Sequence, residues 1–196
     1  MCIRDSSRAS ERLACTAVAS VLSLACLAAA LLPAALLAAI RNGIGDFAYP
    51  VVSIADGAVS SSTIGDMLAQ DAALMTFASL MVVALVAMAE SIRARCGLGV
   101  AFALLVCPPL IPIYTSQSTR WRAVARHLPS SYISCGSVVG LPVYANGLDI
   151  RAIPGTTWEL GLVTLFLFAI ALLAIALFTD MARERTATKR LARRFS

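Results

Sequence analysis

Of 196 residues only 14% are charged while 59% are hydrophobic, the net charge is +5, and the mean hydropathy is +0.82. This balance excludes an ordinary soluble domain, in which about 25% of residues are charged. The basic surplus lies beside apolar runs, which points to topological anchoring at a bilayer rather than to nucleic acid.

Residues 1–6, Met-Cys-Ile-Arg-Asp-Ser, look like the translation of a sequencing adaptor. The expectation is therefore that genuine chain is missing upstream of Ser7. A signal peptide built on Arg4, Arg8 and Arg12 is the alternative, but the apolar run that follows is far longer than the usual h-region of about 7–15 residues.

Four runs, 13–40, 72–89, 97–114 and 160–179, contain no Asp, Glu, Lys, Arg or His. Each is close to or above the length that crosses a bilayer, about 20 residues at 1.5 Å each. They are continuous rather than alternating, so helices are expected instead of a barrel. The fold class is all-α, a polytopic membrane protein with four transmembrane helices.

The first span holds Pro33 and stops at Arg41, where Asn42-Gly43-Ile44-Gly45-Asp46 marks the exit from the membrane. An outer loop, 41–71, is expected next, with Arg41 against Asp46, Asp56, Asp66 and Asp71 for a net charge of −3. Thr63 or Ser62 is placed to cap a short helix from Ile64 to Leu68 leading into the second span.

Glu90-Ser91-Ile92-Arg93-Ala94-Arg95-Cys96 joins spans two and three tightly, and its two arginines place it in the cytoplasm. That assignment puts both ends of the chain inside as well. The third span ends in Cys107-Pro108-Pro109-Leu110-Ile111-Pro112, where proline removes backbone donors.

The second outer loop, 115–159, carries Arg120, Arg122, Arg126 and Arg151 against Asp149, a net +3 that strains the topology. An interfacial helix over 120–128, with Trp121, Val124, Ala125 and Leu128 on one face, relieves the strain and stops before Pro129. The final stretch, 183–196, is a basic cytoplasmic tail: Arg183, Arg185, Lys189, Arg190, Arg193 and Arg194 sit next to anionic lipid.

No catalytic, cofactor-binding or metal-ligating residue is nominated. His127 is the only histidine, so there is no helical His pair, and no Ser-His-Asp set is assigned. There is no GxxxxGK[ST] loop and no GxGxxG, so the chain has no P-loop for ATP. Cys2, Cys15, Cys26, Cys96, Cys107 and Cys135 include no CxxC pair and read as small apolar filler. Cys135, on the outer side, is expected to be open to a thiol reagent from outside, and Cys96 is not. Polar residues within the spans, namely Thr16, Ser20, Ser23, Thr76, Ser79 and Thr164, read as helix-joining groups. Without ionisable groups in the spans, ion coupling lacks its usual partner.

From about Phe47 onward the order of features resembles the C-terminal half of permease subunits of ATP-binding-cassette (ABC) exporters of the six-helix type-2 class. The matching elements are Phe47-Ala48-Tyr49-Pro50 before a span, and Ala89-Glu90-Ser91-Ile92-Arg93-Ala94-Arg95 after it. Pro108-Pro109-Leu110-Ile111-Pro112 and His127-Leu128-Pro129-Ser130-Ser131 follow, then Val143-Tyr144-Ala145-Asn146-Gly147-Leu148 before the last span and basic tail. The resemblance implies that the four runs are the last four of six spans. It implies a separate cytoplasmic ABC ATPase and a second permease copy or homologue in a bacterial plasma membrane, with no covalent chemistry in this chain. It carries over no substrate-contacting residue. A stand-alone four-span immunity, scaffold or assembly protein is the alternative, and a membrane-embedded enzyme would need a polar cluster that the sequence lacks.

Overall fold

A computed structural model describes residues 8–55, 58–92, 126–133, 135–140, 143–145, 148–150 and 155–195. Three long helices dominate: α1 (Arg8–Asn42), α2 (Ile64–Ile92) and, last in the chain, α4 (Trp158–Phe195). Within them Ala9–Arg41, Ile64–Ile92 and Trp158–Glu184, of 33, 29 and 27 residues, are long and apolar enough to cross a membrane. The span expected over 97–114 lies outside the described residues, as do residues 1–6 with Cys2, and also Cys96 and Cys107.

α1 continues through Pro33. It ends where expected, with Gly43 at φ 77°, a left-handed conformation that stops a helix at little cost only in glycine. The hydroxyls of Thr16 and Ser20 donate to the carbonyls of Arg12 and Thr16, both at 2.8 Å. Thr76 and Ser79 likewise bond to Ala72 and Thr76 of their own helix. These four hydroxyls are therefore satisfied inside their own helices and do not join one helix to another.

Stretch 41–71 is more ordered than expected. It folds into an antiparallel hairpin, β1 (Pro50–Ala55) and β2 (Ala58–Thr63), with Pro50 opposite Thr63 and Ala55 opposite Ala58. β2 passes directly into α2, so the short helix expected over 64–68 is the start of one 29-residue helix. Thr63 rather than Ser62 caps it. Its Oγ1 accepts from the Asp66 amide at 3.1 Å, while Asp66 Oδ2 accepts from the Thr63 amide at 3.4 Å, a reciprocal capping box. The next two amides, of Ile64 and Gly65, donate to the carbonyls of Tyr49 and Phe47. Thr63→Ala is expected to cost about 0.5–2 kcal/mol and to speed amide exchange at Asp66 before it affects the middle of α2.

Loop 115–159 is also more ordered than expected. Leu128 is extended (φ −90°, ψ 135°), as its place before proline requires, and Pro129–Tyr132 forms a 3-10 turn. A short α3 (Cys135–Val139) follows, then the hairpin β3 (Val143–Ala145) with β4 (Leu148–Ile150). Of the interfacial helix expected over 120–128, residues 120–125 lie outside the described residues and 126–128 form a turn and bend. The basic stretch expected as a tail is helical as far as Phe195, because α4 runs without a break from Trp158.

The core lies where the turn and α3 meet α2 and α4. Leu74, Met81, Tyr132, Cys135 and Leu165 are buried together, with Phe77, Val138, Trp158 and Leu162 packed around them. Phe77 and Phe166 meet edge to face, with centroids 6.0 Å apart. Elsewhere apolar side chains stay exposed along α1 and α4, among them Val21, Leu32, Leu36, Phe166 and Phe178. Exposed apolar surface on this scale fits a lipid surround.

Candidate functional site

The register between helices follows from named contacts. Gly161 of α4 lies against Leu74 of α2, Phe166 against Phe77, and Thr179 against Ser91. Residue numbers rise together, so α2 and α4 run parallel. α1 begins where the other two leave the apolar zone, because Arg12 meets Glu90 and Asp180 there.

That meeting point is the most organised polar site among the described residues. Arg12 Nε donates to Asp180 Oδ2 at 2.9 Å and its Nη1 to Glu90 Oε2 at 3.0 Å, so one guanidinium clasps all three helices. The Asp180 side chain is only 7% exposed, Arg12 is 21% exposed and Glu90 is 47% exposed. The pair with Asp180 is the shielded arm, and the pair with Glu90 is largely screened by solvent. One helical turn on, Arg183 Nη2 donates to the Ile92 carbonyl at 2.7 Å and caps the C-terminal end of α2. Ser91 and Thr179 face each other at 3.3 Å, but both hydroxyl protons have nearer acceptors, at Met88 and Ile175. Their contact is packing more than bonding.

A guanidinium stays charged at any physiological pH, so Arg12 serves the clasp as a fixed positive charge that holds helices together. The sequence alone did not pair these three residues. A signal was present, since each borders an uncharged run and the topology puts them on one side.

A second polar nook lies at the opposite end. The Tyr132 hydroxyl donates to the Arg126 carbonyl at 2.6 Å, and the Cys135 thiol to the Tyr132 carbonyl at 3.2 Å. Burial pushes the Tyr132 phenol above its ordinary value, with Arg126 acting the other way. His127 is exposed, and its Nε2 accepts from Arg126 Nε at 3.2 Å. Asp71 Oδ1 is buried without a hydrogen-bond partner.

The cysteines divide in a way the sequence did not indicate. Cys15 and Cys26 are exposed on α1 rather than serving as filler, whereas Cys135 is a core residue, 4% exposed. The expected ready labelling of Cys135 is thereby overturned. Burial first, and then the charge of Asp71, push its thiol up to about 11. Because the folded value lies above the ordinary one, the neutral thiol's contribution to stability is complete below about pH 9 and is lost as pH rises through about 11. A maleimide is expected to react with Cys135 slowly at neutral pH in the folded chain and rapidly once it is unfolded in detergent.

Among the described residues no group of three or more His, Cys, Asp or Glu could hold a metal ion. No family model, curated protein or solved structure matches the chain.

Proposed function

We propose that this chain is membrane-spanning permease material of an ABC exporter, lying in a bacterial plasma membrane and driven by a separate cytoplasmic ATPase. A second permease copy or homologue would complete the path. The observation that supports this most is the placing of the Leu128-Pro129-Ser130-Ser131 stretch. It leads into Tyr132, which wedges between α2 and α4 at the end away from the clasp. The Leu-Pro-Ser element of the resemblance thus coincides with a packed cap between α2 and α4.

The parallel course of α2 and α4 supports a four-span topology. If both cross the bilayer in the same direction, the chain joining them must cross back an odd number of times. Between residues 93 and 157 only 97–114 is apolar enough to do so. The clasp end, with both ends of the chain and the basic turn after α2, then lies in the cytoplasm.

The test is co-purification. Tagged chain drawn in mild detergent from its native membrane is expected to bring down a protein carrying a GxxxxGK[ST] loop and to hydrolyse ATP. A monodisperse, folded preparation with neither property contradicts the proposal and favours the stand-alone four-span alternative.

A further inference from the structure

The clasp and the rise of a helix together fix the depth of the opposite end of α2. Glu90, ion-paired and half open, belongs to the headgroup layer on the clasp side rather than to hydrocarbon. From Glu90 to Ile64 the helix climbs about 39 Å, or about 37 Å of depth at the average tilt of about 20°. The hydrocarbon core is about 30 Å thick, with about 5–8 Å of headgroup on each side. With Glu90 at the hydrocarbon edge of its layer, Ile64 stands about 7 Å past the far hydrocarbon edge; with Glu90 at the water edge, Ile64 is level with that far edge. Either way Ile64 lies in the far headgroup layer.

Two backbone bonds tie the turn before β1 to this depth. The Gly65 amide donates to the Phe47 carbonyl at 2.9 Å and the Ile64 amide to the Tyr49 carbonyl at 3.2 Å. The turn is also closed on itself. The Tyr49 amide donates to the Asp46 carbonyl at 3.1 Å, and the Ala48 amide to Asp46 Oδ1 at 2.9 Å, so the carboxylate is bent back onto its own backbone. Phe47 and Tyr49 remain 57% and 61% exposed, and Ile44 and Val52 beside them are exposed as well. Residues 43–52 contain no Lys or Arg, and Asp46 is their one acid.

Uncharged rings left open at this depth have lipid as their surrounding medium. They meet glycerol and the first acyl carbons without recruiting a partner, whereas a protein would first have to displace that lipid. Aromatic side chains favour this layer, where an apolar ring and a polar tip are both satisfied.

We propose that the turn 44–49 is an interfacial anchor, with Phe47 and Tyr49 seated among the lipid headgroups of the leaflet away from the clasp. The root of a loop expected to face outward is then part of the membrane surface. This rests on α2 crossing the bilayer and not on the exporter reading.

The test uses the full chain in phosphatidylcholine nanodiscs, since nothing in 43–52 calls for anionic lipid. Trp121→Phe and Trp158→Phe remove the native emission, and one tryptophan is returned at a time by Phe47→Trp, Tyr49→Trp or Leu167→Trp. Leu167, exposed on α4 about 20 Å from Asp180, reports the acyl core. Emission from positions 47 and 49 is expected to fall by more than half with bromine on the acyl carbons nearest glycerol, and far less with bromine near the chain ends. Position 167 is expected to show the reverse order. Quenching of 47 and 49 by acrylamide but by neither bromine label would place the turn in water, and protection from all three would place it against protein, such as a second copy. Either result overturns the proposal while position 167 still reports a spanning helix. Failure of the reverse order at 167 would overturn the spanning course itself, and the proposal with it.

Discussion

Arg12→Ala is expected to lower the thermal stability of the chain in detergent by the equivalent of about 3–5 kcal/mol, because it leaves a shielded carboxylate without its counter-ion. Among the described residues Asp180 has no other ion-pair partner, and its side chain is 7% exposed. Glu90→Gln at the same site is expected to cost at most about 1 kcal/mol, since that arm is half open to water. Asp180→Asn should fall between them, because Arg12 keeps Glu90. Exchanging the charges, Arg12→Asp with Asp180→Arg, should recover part of the loss. Thermal unfolding monitored by circular dichroism ranks all four. A ranking with Glu90→Gln as the most harmful would mean that the Asp180 pair does not hold the helices.

The second large effect is expected at the other end of the bundle. A Cβ on Gly161 would come within 2.6 Å of Tyr132 Cδ1 and 2.8 Å of Leu74 Cδ2. Tyr132 is fully buried and its hydroxyl is held by the Arg126 carbonyl, so its ring has little room to withdraw. Gly161→Ala is expected to destabilise by about 1–3 kcal/mol, the usual cost of overpacking, and to loosen the cap between α2 and α4. Leu74→Ala alone opens a cavity, but combined with Gly161→Ala it clears one of the two clashes. The double variant should therefore cost less than the sum of the singles. Strict additivity would show that α4 does not press on Leu74.

The long helices were legible because uncharged length is a strong signal. Runs 13–40, 72–89 and 160–179 all lie inside helices whose ends extend past them by a few residues or more. The ends were less legible, since helix geometry continues through polar residues once it has been nucleated, as in α4 beyond Asp180. The hairpins were missed although each carries a turn signal, Asp56-Gly57 between β1 and β2 and Asn146-Gly147 between β3 and β4. Serines in β2 hid the alternation. At the clasp, the topology put residues 12, 90 and 180 on one side. Which flanking charges meet depends on how each helix is rotated, and flank composition does not carry that. The burial of Cys135 was illegible for a related reason, because a cysteine in a polar connector gives no sign that Tyr132 draws it beneath the cap.

The direction of the three described helices relative to the membrane is the claim on which the rest depends. Single cysteines at Gly45, Thr156, Ile92 and Thr186, in a chain freed of its own cysteines, can be challenged with a membrane-impermeant maleimide in intact cells and again after permeabilisation. Gly45→Cys and Thr156→Cys are expected to react from outside, whereas Ile92→Cys and Thr186→Cys react only after permeabilisation. Reaction of Thr156→Cys and Thr186→Cys from the same side, or of Gly45→Cys and Ile92→Cys from the same side, would contradict the parallel spans and the clasp that joins them to α1.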